Sequence, residues 1–131
     1  MFLCTANSCR SQMAEGLARK IGKGKVDVYS AGLFAAGVHP RAATVMKEIG
    51  IDISGQSSKE IDQNLFDKMD IVITLCSHAE EYCPVPPAGA TKLHWPIKDP
   101  VGTQGTEEEI MNEFRRARDE IKEKIVALFT S

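Results

Sequence analysis

The chain is 131 residues long, 43% hydrophobic and 26% charged, with 18 acidic against 16 basic residues and a formal net charge of −2. That length and composition suit a single globular domain, residues 1–131, and exclude a disordered or low-complexity protein. Near-neutral charge with scattered basic residues gives no footprint for nucleic acid or an anionic membrane surface.

Met1-Phe2-Leu3-Cys4 reads as the end of a short buried strand. Ser11 is placed to cap a helix running to about Ile21, with Met13, Ala14, Leu17, Ala18 and Ile21 at helical spacing and Gly22 to end it. Residues 25–32, KVDVYSAG, alternate as a strand does. Pro40 suits a first helical position, and Ala42, Val45, Met46 and Ile49 carry that helix to Gly50. Ser57 or Ser58 can cap a short helix through Leu65 and Phe66. Residues 70–75, DIVITL, form the clearest strand, a continuous apolar run suited to a parallel sheet covered on both faces. A loop rich in proline, glycine and cysteine follows, then a strand at residues 91–95, TKLHW. Thr106 and Glu109 make a capping box for the longest helix. Its Ile110, Phe114, Ile121, Ile125 and Leu128 share one stripe, and the polar remainder reads as a solvated face. Strands separated by helices predict an α/β domain of three layers, a four-stranded parallel sheet between helices with right-handed crossovers.

No apolar run approaches the length of a membrane span, and Met1-Phe2-Leu3 is too short for a signal-peptide core, so a cytoplasmic location is expected. Disulfides are rarely structural there. Cys4, Cys9, Cys76 and Cys83 must then be buried thiols, metal ligands or catalytic thiols.

The stretch CTANSCRS, residues 4–11, leaves a strand at its carboxyl end and enters a helix, where open α/β sheets place ligands. A tight loop at that point aims the backbone N–H groups of Thr5, Ala6, Asn7, Ser8, Cys9 and Arg10, with a helix N-terminus, at one oxyanion. Arg10 adds a bidentate fork matched to a tetrahedral anion. The same field favours a thiolate at Cys4, Ser11 can donate to it, and Asn7 tolerates the left-handed backbone such a loop needs. Cys9 has no evident chemical task.

CTANSCRSQMAEG, residues 4–16, resembles the anion loop of the low-molecular-weight protein tyrosine phosphatase fold and, more narrowly, the arsenate reductases built on it. The resemblance covers essentially the whole chain. It implies a nucleophilic Cys4, an oxyanion-gripping Arg10 and, in KDPVG (residues 98–102), Asp99 as general acid. Tyrosine phosphatases usually follow that Asp-Pro with an aromatic residue; here it is Val101. In TLCSHAEEYCP, residues 74–84, Cys76 and Cys83 match the further thiols of the similar thioredoxin-coupled reductases.

That likeness implies a relay in which Cys4 attacks arsenate, Cys76 attacks Cys4 to release arsenite, and Cys83 moves the disulfide to Cys76–Cys83, where thioredoxin reduces it. The polar segment between these cysteines would have to move or unwind. A phosphatase acting through a Cys4 phosphoenzyme is the enzyme alternative. Relatives are implied to hold potassium with groups matching Asn7, Glu15, Ser30 and a carboxylate near residue 59; Lys59 stands here instead, so no metal is assigned. A zinc site from Cys76, His78, Cys83 and His94 has the right residue types but no usual spacing. A regulatory Cys76–Cys83 disulfide leaves the anion loop unexplained. No cofactor is expected, and a monomer is the default.

Overall fold

The computed structural model describes residues 1–130. Four short parallel strands form its sheet: β1 (Phe2–Cys4), β2 (Ser30–Gly32), β3 (Ile71–Thr74) and β4 (Thr91–His94), in the order β2-β1-β3-β4. Five helices connect or flank them: α1 (Arg10–Ile21), α2 (Pro40–Glu48), α3 (Gln63–Phe66), α4 (Ser77–Tyr82) and α5 (Glu107–Thr130). This is the three-layer α/β architecture read from the sequence.

The registers are Phe2 with Ser30, Leu3 with Ala31 and Cys4 with Gly32 on one side of β1, and Phe2 with Ile73 and Leu3 with Thr74 on the other. The chain therefore leaves β1 for its neighbour on one side and later returns on the other. That reversal opens a crevice above the carboxyl ends of β1 and β3, the usual place for a ligand in such sheets. Phe66, Phe114, Leu3, Met13, Leu17, Met46, Ile53 and Ile121 are all buried, and α1, α2 and α5 pack on one another over this core. On α1, Gly16 makes room for Ile53, whose Cγ2 would lie 2.6 Å from a Cβ placed there.

Several expected boundaries move, each for a local reason. Helix α1 starts at Arg10 with Cys9 at its N-cap, so Ser11 lies inside the first turn. Strand β2 covers only Ser30–Gly32 of the expected 25–32, because the ladder with β1 begins at Phe2 and leaves Lys25–Val28 without a partner strand. Asp62, not Ser57 or Ser58, caps α3. The cysteine-containing loop holds an unexpected helix, α4, capped by the Cys76 sulfur through Ala79 N–H. The Thr106–Glu109 capping box is present, but the polar face of α5 is not all solvated: Arg118 is buried and donates to Val45 O and Glu48. No helix among the described residues is long and apolar enough to cross a membrane.

Candidate active site

Loop residues 5–9 climb from β1 to α1 and form the floor of a pocket of about 700 Å³. Their carbonyls are turned away from it. Thr5 O accepts from Leu33 N and Phe34 N, Asn7 O from the Gln12 side chain, and Ser8 O from His39 N. In a planar trans peptide the following N–H points the opposite way, so the N–H groups of Ala6, Ser8 and Cys9 face the pocket, which those three residues line. Asn7 takes the left-handed turn at φ 45° and is fully buried. Gly32 permits the close approach: a Cβ there would lie 2.6 Å from Asn7 N and from Phe34 O.

A chain of hydrogen bonds orients the groups around Cys4. Asn7 Nδ2 donates to Ser11 Oγ at 2.8 Å and to Ser30 Oγ at 2.9 Å, and Ser30 donates onward to Glu15. Because Ser11 Oγ accepts from Asn7, its own proton is free for the Cys4 sulfur, 2.8 Å away. Arg10 is also buried, with one arm on Ile97 O at 2.9 Å and the other 3.5 Å from Asp99 Oδ2. Asp99 is half-exposed at the mouth and accepts from Val101 N.

The four thiols have different surroundings, and all are free. Cys76 is buried at the pocket wall, its sulfur 3.2 Å from the Thr5 hydroxyl and 3.4 Å from Ala79 N. Cys83 is half-buried at the far end of α4, donates to Pro84 O at 3.1 Å, and has its pKa pushed up chiefly by burial, with Lys92 opposing and Glu80 adding. Burial foremost, then the charges of Asp99 and Cys4, pushes Cys9 strongly up, and it stays a thiol against the smaller pull of Arg10. Of the residues expected at the site, the structure gathers Cys4, Thr5, Ala6, Ser8, Cys9, Arg10, Cys76 and Asp99 around one pocket. Asn7 and Ser11 stand behind it, and Cys83 lies outside its lining.

A profile of the low molecular weight phosphotyrosine protein phosphatase family matches residues 1–131. The chain belongs to that family. Within it, an arsenate reductase of Halalkalibacterium halodurans is 55% identical over 124 residues, 95% of this chain and 89% of that protein. A solved arsenate reductase in the phosphate-binding state superposes with a TM-score of 0.80 at 41% identity, covering 99% of this chain and 95% of the other. A thioredoxin-dependent arsenate reductase of Corynebacterium glutamicum gives a TM-score of 0.69 at 29% identity, over 96% of this chain and 60% of that one.

This phosphatase-family site departs from the cation arrangement that the sequence resemblance implied. Lys59 Nζ lies 3.5 Å from Glu15 Oε1 and donates to Ser57 O at 2.7 Å, so an ammonium already stands against the buried carboxylate. A potassium ion added at Glu15 would meet a like charge, and the residues present do not fit one. Zinc fares no better: among the described residues no three His, Cys, Asp or Glu side chains cluster as a metal site. Cys76 faces Thr5, Cys83 faces Pro84, and His94 faces Thr74.

Sequence reasoning missed the Thr5 hydroxyl on Cys76, Gln12 and Ser58 beneath the loop, and His39 at the pocket rim. The 71-residue separation of Thr5 from Cys76 carries no local signal. With Pro40 already read as the first helical residue, His39 could have been read as its N-cap.

Proposed function

We propose that the protein reduces arsenate to arsenite through a relay of Cys4, Cys76 and Cys83 recycled by thioredoxin. The observation that carries this reading is the second buried thiol, Cys76, on the wall of the pocket whose floor holds Cys4. Hydrolysis at a Cys-x5-Arg loop has no use for it, whereas arsenic(V) must gain two electrons. The loop N–H groups and Arg10 bind the oxyanion. Cys4 sulfur attacks arsenic while Asp99 protonates the oxygen that leaves as water, giving a sulfur–arsenic bond. Cys76 sulfur then attacks Cys4 sulfur. That step forms a Cys4–Cys76 disulfide and breaks the sulfur–arsenic bond, whose electron pair leaves with arsenic as arsenite. Cys83 next attacks Cys76, Cys4 departs as thiolate, and the Cys76–Cys83 disulfide awaits an external dithiol.

The thioredoxin dependence of the C. glutamicum arsenate reductase supports thioredoxin as that dithiol, and the reducing cytoplasm is the compartment such a cycle fits. Cys4, Arg10 and Asp99 alone also suffice for phosphate ester hydrolysis, so some hydrolysis is expected beside reduction. Its extent is limited by Val101, which offers no ring to pack a phenol.

The deciding experiment is arsenate-dependent NADPH oxidation with thioredoxin and its reductase, beside p-nitrophenyl phosphate hydrolysis by the same sample. Reduction should dominate. Cys83→Ser should release one arsenite per chain and stop with Cys4 joined to Cys76, while Cys4→Ser should lose both activities. Wild-type turnover in Cys83→Ser would exclude the relay.

A further inference from the structure

The relay leaves one cluster unassigned, beside α4 and close enough to Cys83 for the charges of Glu80 and Lys92 to act on that thiol. Glu80, in the first turn of α4, accepts from Thr74 Oγ1 at 2.7 Å with one carboxylate oxygen and from Lys92 Nζ at 3.0 Å with the other. His94 Nδ1 lies 2.8 Å from the same Thr74 hydroxyl, because the β3–β4 register sets Thr74 opposite His94. The hydroxyl has one proton. The hydrogen bond from Thr74, then that from Lys92, holds the Glu80 carboxyl below its usual range, so the carboxylate takes that proton and the His94 ring donates to the oxygen.

We propose that Glu80 is a positioning residue that latches α4 in its folded form through Thr74, Lys92 and His94, and thereby sets how readily Cys76 and Cys83 join. The redox half of this inference rests on the relay reading. Helix α4 has six residues, too few to be stable alone, and only Ala79 among them is buried. At 1.5 Å per residue the seven steps from Cys76 to Cys83 separate their Cα atoms by roughly 10 Å. A disulfide requires about 4.4–6.8 Å. Joining the two cysteines therefore pulls the residues between them, Glu80 at the centre, off the helical track. Contacts made only by the folded helix favour the dithiol over the disulfide.

The test compares wild type with Glu80→Ala, Glu80→Gln and Thr74→Val. Two readouts are needed: amide hydrogen exchange across α4 in the reduced protein, and the Cys76–Cys83 dithiol/disulfide equilibrium in dithiothreitol redox buffers, assigned by peptide mapping. Glu80→Ala should speed α4 exchange about fivefold, the size of one net hydrogen bond. It should shift the equilibrium about fivefold toward disulfide, a potential about 20 mV more negative at about 30 mV per tenfold. Thr74→Val should move both the same way. Glu80→Gln, which keeps an acceptor for Thr74 but loses the Lys92 ion pair, should fall between. Alanine is the better helix former, so propensity alone would act in the opposite sense.

Unchanged exchange and potential in Glu80→Ala and Thr74→Val would overturn the latch. So would an effect of Glu80→Ala alone, which would place the carboxylate's action in the helix dipole. Failure of wild type to form the Cys76–Cys83 bond under arsenate would sink the relay instead, and the exchange arm, needing no turnover, reads the two apart.

Discussion

One hydroxyl sits on the Cys4 sulfur, and Asn7 Nδ2 holds its oxygen in place from behind, leaving its proton available to a thiolate. Ser11 is fully buried behind the loop and makes no part of the pocket lining, so its contribution should appear when charge gathers on sulfur rather than when the anion binds. Ser11→Ala should slow release of the first arsenite, and hydrolysis of p-nitrophenyl phosphate, by roughly 10–100-fold, the range for a hydrogen bond to a charged group. KM should change little. A raised KM with kcat intact would place Ser11 in binding and contradict the geometry. At this scale Cys4 and Arg10 were legible from their spacing between a strand and a helix, and Asp99 only through the resemblance of KDPVG to the family's Asp-Pro loop. The Thr5–Cys76 contact was not legible, since it joins residues the fold alone brings together.

Among the helices, α2 has the least usual start. His39 Nδ1 accepts from Arg41 N at 3.1 Å, its ring packs 5.0 Å from that of Phe114, and Pro40 follows at the first helical position. Burial first, then the charge of Arg41, holds the ring below its ordinary pKa, with Asp99 opposing. The unfolded chain therefore binds the proton more readily, and stability rises with pH through the window below about 6.5, the ordinary histidine value. Acidification protonates the cap acceptor and detaches the helix start. Urea midpoints measured from pH 7 to pH 5 should fall for wild type and fall less for His39→Asn, which keeps a good cap without titrating. Parallel curves would remove His39 from the account.

The elements themselves were mostly legible, since periodicity and the Thr106–Glu109 box survive intact in α5. The α4 helix escaped because flanking prolines outweighed Ala79, Glu80 and Glu81, all good helix formers. Ser57 and Ser58 misled for a different reason: Ser57 O accepts from Gln12 and Lys59, and Ser58 donates to Ala6 O, so that segment braces the anion loop instead of starting a helix.

Across the whole molecule, the anion loop ties together parts of the chain that are distant in sequence. Its backbone bonds residues 33–39, Lys59 N donates to Asn7 Oδ1, and Arg10 reaches Ile97 O. An anion bound there should stabilise the fold as a unit. At phosphate concentrations of 100 Kd, mass action contributes about 2.7 kcal/mol, and Tm should rise by roughly 8 °C for a chain of this size. Cys4→Ser should keep most of the rise and Arg10→Ala should lose it. An equal rise in Arg10→Ala would put the phosphate elsewhere.

The Cys76 sulfur has two occupations, and they compete. In the reduced fold it accepts the Ala79 N–H that begins α4. Were the proposed relay to join that atom to Cys4, the new S–S bond would fix where the sulfur points and leave it a neutral, weaker acceptor turned toward the loop rather than the helix. A lost cap of this kind costs a helix about 1 kcal/mol. Under the proposed relay, the first disulfide would loosen the segment that must deliver Cys83 to the second, so the order of the two exchanges would be timed by the protein's own first product.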